Sequence, residues 1–220
     1  MSGLIRLIKL KRFAILAFEN SIRLHSDSIL LYNESRYPTA FYISVIAMEE
    51  MAKAKELEHF YFMSLTGDVR ADFELEQKIL LRLFDHKSKQ RAFAYRDFYD
   101  YSPKFLKSID TKQLDNKKLQ ALYVGLEKIK NTVNIEGKIS TPKKIRKADT
   151  IRQISLINSE LREFIKLKDF HDGYFNIEEM DLLLDETRTR DLVTSWKYKT
   201  GLKSKKWWTL NLKKTTEPLP

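Results

Sequence analysis

Two groups of ionisable residues sit on apolar stretches of this chain at spacings that could support chemistry. The first is Glu49-Glu50-Met51-Ala52-Lys53, set inside an otherwise apolar run. On a helix turning about 100° per residue, Ile43, Ile46, Ala54 and Leu57 fall on one side with Glu50 among them, and Glu49 and Lys53 lie on the flank. A carboxylate on an apolar stripe is costly to bury unless it is paired. Glu50 is therefore expected either to pair with Lys53 or another helix's cation, fixing helix register, or to face a polar cavity. The second group is Arg82, His86 and Lys89, which share a helix face with Leu75, Ile79 and Phe93. An imidazole flanked by two cations suits general acid–base work beside phosphate binding, and the cations would favour its neutral form. The plainer reading of His86 is a hydrogen-bonded core histidine.

Other chemistries find little support. There are no cysteines, which excludes disulfides, thiolate nucleophiles and Cys-based zinc sites and fits a reducing cytoplasm. A di-iron bundle needs two Glu-x-x-His pairs. Glu56 and His59 form one, but His25, His86 and His171 are preceded three residues earlier by Ile22, Leu83 and Lys168. No metal and no cofactor is expected. There is no Walker-type loop, no GxGxxG after a predicted strand and no nucleophile setting for a serine. The apolar run from Phe13 to Phe18 is shorter than a signal-peptide core, and no stretch reaches the roughly 20 apolar residues of a membrane span. Neither a signal peptide nor a membrane partner is expected.

The elements that must position these residues are helices. Only 6 glycines and 5 prolines punctuate 220 residues, and a composition 43% hydrophobic and 32% charged is that of a globular domain. Helical periodicity predicts a first helix over 5–32, a second from Pro38 to about Leu65 ended by Gly67, and a third over 71–99. Further helices are predicted over 116–133, 147–167 and 186–198, with a short one after Asn176 as N-cap. The class is all-α. The bundle is expected over residues 1–170, with 171–220 as a helical extension and tail. Net charge is +10, and the 25 residues from Trp196 carry seven lysines against one glutamate. Lys203, Lys205, Lys206, Trp207 and Trp208 thus form a candidate nucleic-acid contact, by phosphate pairing and base stacking. The alternative is a solvated terminus whose tryptophans dock on the core.

The segment Tyr37–Ala54, reading YPTAFYISVIAMEEMAKA, opens Tyr-x-x-Ala and ends Glu-Glu-x-x-Lys-Ala. Together with DHKSK (Asp85–Lys89) and a weaker block, Leu122-Tyr123-Val124 followed by the Pro142 loop, it resembles the AbiV-type abortive infection proteins of the HEPN superfamily. The resemblance spans about 16–167. It implies an antiparallel helical bundle whose blocks face one another, a homodimer, and a role in stopping phage multiplication by disabling gene expression, with a phage protein, RNA or the translation machinery as partner. By position it makes His86 the acid–base candidate, Arg82 and Lys89 phosphate contacts, and Glu50 with Lys53, beside Glu49, the orienting group. Many HEPN domains are metal-independent RNases using Arg-x4-6-His. Here only three residues separate Arg82 from His86, a departure from that motif. Three functions stay open: a binding effector that inhibits translation, an RNase toxin, and a helical scaffold with no defence role.

Overall fold

The structure is a computed structural model and describes residues 2–67, 73–94, 99–101, 103–126, 128–129, 132–199 and 203–204. Two long helices, α1 (Ser2–Asn33) and α2 (Tyr37–Thr66), fold back on each other as a hairpin and form its largest interhelical contact. The turn between them places Ser35 at φ 58°, and Pro38 enters the first turn of α2, where a missing N–H costs nothing. Gly67, at φ 77°, closes α2 in the left-handed conformation that glycine tolerates best. Small residues bring the axes together: Ala14, Ala47, Ala52 and Ala54 are fully buried.

A third long helix, α7 (Lys147–His171), lies across both, and contributes Ile157, Leu161 and Phe164 to their core. Shorter helices surround this frame: α3 (Phe73–Arg82), α4 (His86–Ala94), α5 (Pro103–Asp110) and α6 (Gln113–Gln120). Helices α4 and α6 both pack on α2, and α5 bridges them. The helices α8 (Glu178–Asp185) and α9 (Thr187–Ser195) pack on α7, with α8 also against α1. Trp196 follows α9 into a cluster with Tyr32 and Tyr198, its indole N–H donating to Ser155 Oγ at 2.9 Å. Among the described residues extended structure amounts to two minimal antiparallel ladders and an isolated Gly125–Ser140 bridge. One pairs β1 (Tyr99–Asp100) with β4 (Lys203–Ser204), the other β2 (Lys128–Ile129) with β3 (Thr132–Val133). The all-α class holds. Among the described residues no helix is long and apolar enough to cross a membrane.

Three expected elements differ. The single helix over 71–99 is broken at Leu83–Asp85, where the N–H groups of Leu83 and Phe84 bond three residues back and the chain leaves the α path. Asp85 then starts α4, accepting the Ser88 N–H on Oδ2 at 2.7 Å, and hydrogen bonding from Ser88, its side chain first and its backbone after it, holds the carboxyl below the usual range. The helix expected over 116–133 stops at Gln120 and gives way to the β2–β3 ladder. Asn176 does not cap α8: its backbone and side-chain N–H groups both donate to the buried Glu58 carboxylate, tying the α7–α8 turn to α2.

Candidate functional site

Of the two adjacent glutamates on α2, the buried one is Glu49. Its neighbour Glu50 does not hold that place. The expectation of one apolar stripe fails because α2 is central, buried against α1, α4, α6 and α7. Ile43 and Ile46, which defined that stripe, are only partly buried. Glu50 instead turns toward α1, bonding Lys53 and accepting from Asn20 Nδ2 at 3.2 Å, while the Lys53 ammonium sits 5.7 Å from the Phe13 ring centroid. The Glu50–Lys53 pair therefore ties α2 to α1 and orients nothing at His86.

Glu49 is 1% exposed and its carboxylate collects donors from two other helices. Oε1 accepts from Gln90 Nε2 of α4 at 2.8 Å and from Lys118 Nζ of α6 at 3.0 Å. Oε2 meets His86 Nδ1 at 2.6 Å, and the Lys89 ammonium lies 3.7 Å away. Lys118 also reaches Asp115 Oδ1 at 2.8 Å. Burial alone would lower the Lys118 pKa, but the Asp115 and Glu49 carboxylates outweigh it and hold the ammonium above the ordinary lysine value. One carboxylate thus pins α4 and α6 to α2. An ionised carboxylate can only accept, so His86 carries its proton on Nδ1 and, when neutral, keeps a lone pair on Nε2. The His86 side chain is 51% exposed. The arrangement is a half-exposed imidazole oriented by a buried carboxylate, able to accept a proton or a hydrogen bond at its outer nitrogen.

The six predicted site residues of the bundle divide accordingly. Glu49, His86 and Lys89 converge, whereas Glu50 and Lys53 face α1. Lys89, expected as a phosphate contact, is 8% exposed with its ammonium turned to Glu49. Arg82 ends α3 ahead of the break, so the helix wheel that placed it beside His86 does not carry across Leu83–Asp85. It is exposed on the rim of a small cleft with Ser88 and forms no ion pair among the described residues. The nearest charge to His86 is an anion, where a flanking pair of cations was expected. Of the tail candidates, Lys203 lies in β4, opposite Asp100. Lys205, Lys206, Trp207 and Trp208 lie outside the described residues.

Sequence reasoning missed Gln90 and Lys118. Gln90 follows His86 by four residues and Lys89 by one, so all three share the face of α4 turned to α2 once the helix is known to start at His86. For Lys118 the local signal is Asp115, three residues earlier on α6, which forms the second half of its buried pairing. Glu49, His86 and Asp115 also bring ligand-type atoms within 4.8 Å of one another. The Lys118 ammonium bonds two of those carboxylates, so a metal ion there would have to displace an internal cation.

The model of the AbiV family of HEPN domains matches residues 9–163. This chain belongs to the AbiV family. The matched span contains the whole Glu49 cluster and ends within α7, leaving α8 and α9 beyond it. The helices described above form its HEPN-like bundle, and membership suggests a role in abortive infection. No curated protein and no solved structure matches the chain.

Proposed function

We propose that this AbiV protein is an abortive-infection effector that stops phage multiplication by binding, and so inhibits translation, without cutting RNA itself. Its target is a phage protein, an RNA or part of the translation machinery. In this reading residues 1–170 form the working bundle of a homodimer and 171–220 its helical extension and basic tail. The observation that carries the reading is the state of the cations. Lys89 and Lys118 neutralise Glu49, and Arg82 makes no bond to the cluster, so among the described residues no cation is held at His86 to stabilise a phosphorane-like transition state. The cluster then serves as a clamp that fixes three helices and the surface they present.

One observation favours RNase activity as a second reading. The His86 Nε2 lone pair, with Nδ1 anchored on Glu49, is placed as a general base would be. It would take the proton of an RNA 2′-hydroxyl as that oxygen attacks phosphorus and the 5′-oxygen leaves. Labelled-methionine incorporation and RNA integrity in infected cells, together with cleavage of single-stranded RNA by the purified protein, separate the two. Binding predicts that translation falls while RNA stays intact, and that a folded His86→Ala protein retains protection. Cleavage by wild type that His86→Ala abolishes, together with loss of protection, would overturn the binding reading.

A further inference from the structure

Helix α6 turns Lys118 toward Glu49 and sends Leu119 into a separate groove of about 570 Å³. That volume is in the range of ligand-holding clefts. The groove's other wall is held by an antiparallel bridge between Gly125 and Ser140, with N–H···O distances of 3.1 and 2.7 Å. Leu119, Tyr123 and Leu126 supply apolar surface, Lys138 and Lys144 supply charge, and among the described residues no acidic one lines it. Neither lysine has an ion-pair partner among the described residues, and both are exposed. Further apolar side chains are exposed in the same stretch of chain: Val124 is 69% exposed, Ile135 82% and Ile139 59%. Almost half of the exposed large apolar side chains among the described residues lie between 119 and 139. Such a concentration, rimmed by charge, marks an interaction surface.

We propose that this groove and its apolar rim dock a partner protein through a segment that mixes acidic and aliphatic side chains. The inference rests on the binding reading above and names the surface that does the binding. Chemistry argues against RNA as the occupant. Among the described residues Tyr123 is the only ring lining the groove, and aliphatic side chains such as Val124, Ile135 and Ile139 offer nothing for bases to stack on and are poor neighbours for phosphates. A second copy fits poorly as well. Two such grooves face to face would set lysines against lysines. The chain's own acidic and apolar segment, α8, is packed against α7 and α1 and has three of its four carboxylates engaged. Lys11 holds Glu179, backbone N–H groups of Tyr174 and Phe175 hold Asp181, and Lys168 and Arg190 hold Asp185. A different protein, carrying unpaired acids among aliphatic residues, satisfies both the lysines and the rim.

The test places a photo-crosslinking phenylalanine analogue at Ile135, or in a second protein at Val124, in the full chain, in infected and uninfected cells. A control protein carries it at Leu30, exposed on α1. Crosslinked peptides are identified by mass spectrometry. The expected product at position 135 or 124 is a single foreign protein, joined at a segment rich in aspartate or glutamate and aliphatic residues, and absent from the control. Lys138→Glu/Lys144→Glu should lower that yield by about tenfold, as charge reversal at an interface rim does, with an unchanged melting temperature. Crosslinks to a second copy, to RNA, to a segment without acids, or to nothing under either condition overturn the proposal. If translation falls with RNA intact and no such product forms, the docking surface fails and the binding reading stands. If the product forms but the protein cleaves RNA through His86, the binding reading fails instead.

Discussion

Removing the charge of Glu49 is the most direct test of the clamp. In Glu49→Gln the side chain keeps its size but loses its charge and one acceptor oxygen. Its new NH2 group must then face either the Lys118 and Gln90 donors or the His86 N–H. Lys118, 3% exposed, keeps Asp115 beside its ammonium, whereas Lys89, 8% exposed, has no second ion-pair partner among the described residues. Breaking a buried pair by removing one partner costs about 3–5 kcal/mol. For a domain of this size that lowers the melting temperature by about 6–20 °C. Glu50→Gln is the matched control. It removes one carboxylate from the same helix, but from a partly exposed pair, and should cost about 1 kcal/mol or less. Thermal unfolding followed by circular dichroism measures both. Lys118→Met alone should also destabilise, and the double variant Glu49→Gln/Lys118→Met should lose less than the two single losses added. A Glu49→Gln protein melting within about 2 °C of wild type, or no milder loss for Glu50→Gln, would refute the buried-clamp reasoning.

Three further outcomes follow from particular contacts. His25 is fully buried with Nε2 bonded to Asn158 at 3.0 Å, and burial pushes its pKa down to about 4. Because the unfolded chain takes up that proton near pH 6.5 and the folded chain does not, its contribution is complete above pH 6.5 and is lost as pH falls toward 4. Urea unfolding should show about 2 kcal/mol of lost stability between pH 7 and pH 5 from this group, a slope that His25→Gln flattens; identical slopes would contradict it. Asp85→Ala removes the cap that starts α4 and should cost about 1 kcal/mol, read as a lower urea midpoint and faster amide exchange at Lys87 and Ser88. Gly67→Ala places a side chain at φ 77° with open space around it, so backbone strain of about 1 kcal/mol, with no clash, sets the loss measured by thermal melting.

The long helices were legible because their signals are local. Glycine at 67 and proline at 38 bracket α2, and apolar spacing marks α1 and α7. The break between α3 and α4 was harder to read, because Leu83 and Phe84 continue the apolar pattern and only Asp85, three residues ahead of Ser88, announces a new start. Likewise Leu122, Leu126 and Ile129 keep a helical rhythm past the end of α6, yet the described members of that set are solvent-facing and join no core. Periodicity reports which residues are apolar and leaves open whether anything covers them.

The site was half legible for a related reason. A wheel assigns one buried face, and that suits a helix at the edge of a bundle. Helix α2 is buried on several sides, so its ionisable residues are sorted by which neighbour supplies a counter-charge. Glu49 meets α4 and α6, where His86, Lys89 and Lys118 wait; Glu50 meets Asn20 of α1 and can be satisfied by its own Lys53. Both are therefore paired, and only one links three helices. The same logic separates the cluster from the groove beyond it. Every cation near Glu49 is neutralised within the chain, whereas Lys138 and Lys144 have no ion-pair partner among the described residues and sit beside apolar surface that water covers at a cost. A second molecule therefore has more to gain at the groove, and the clamp's part is to hold α6, the helix common to both, in place.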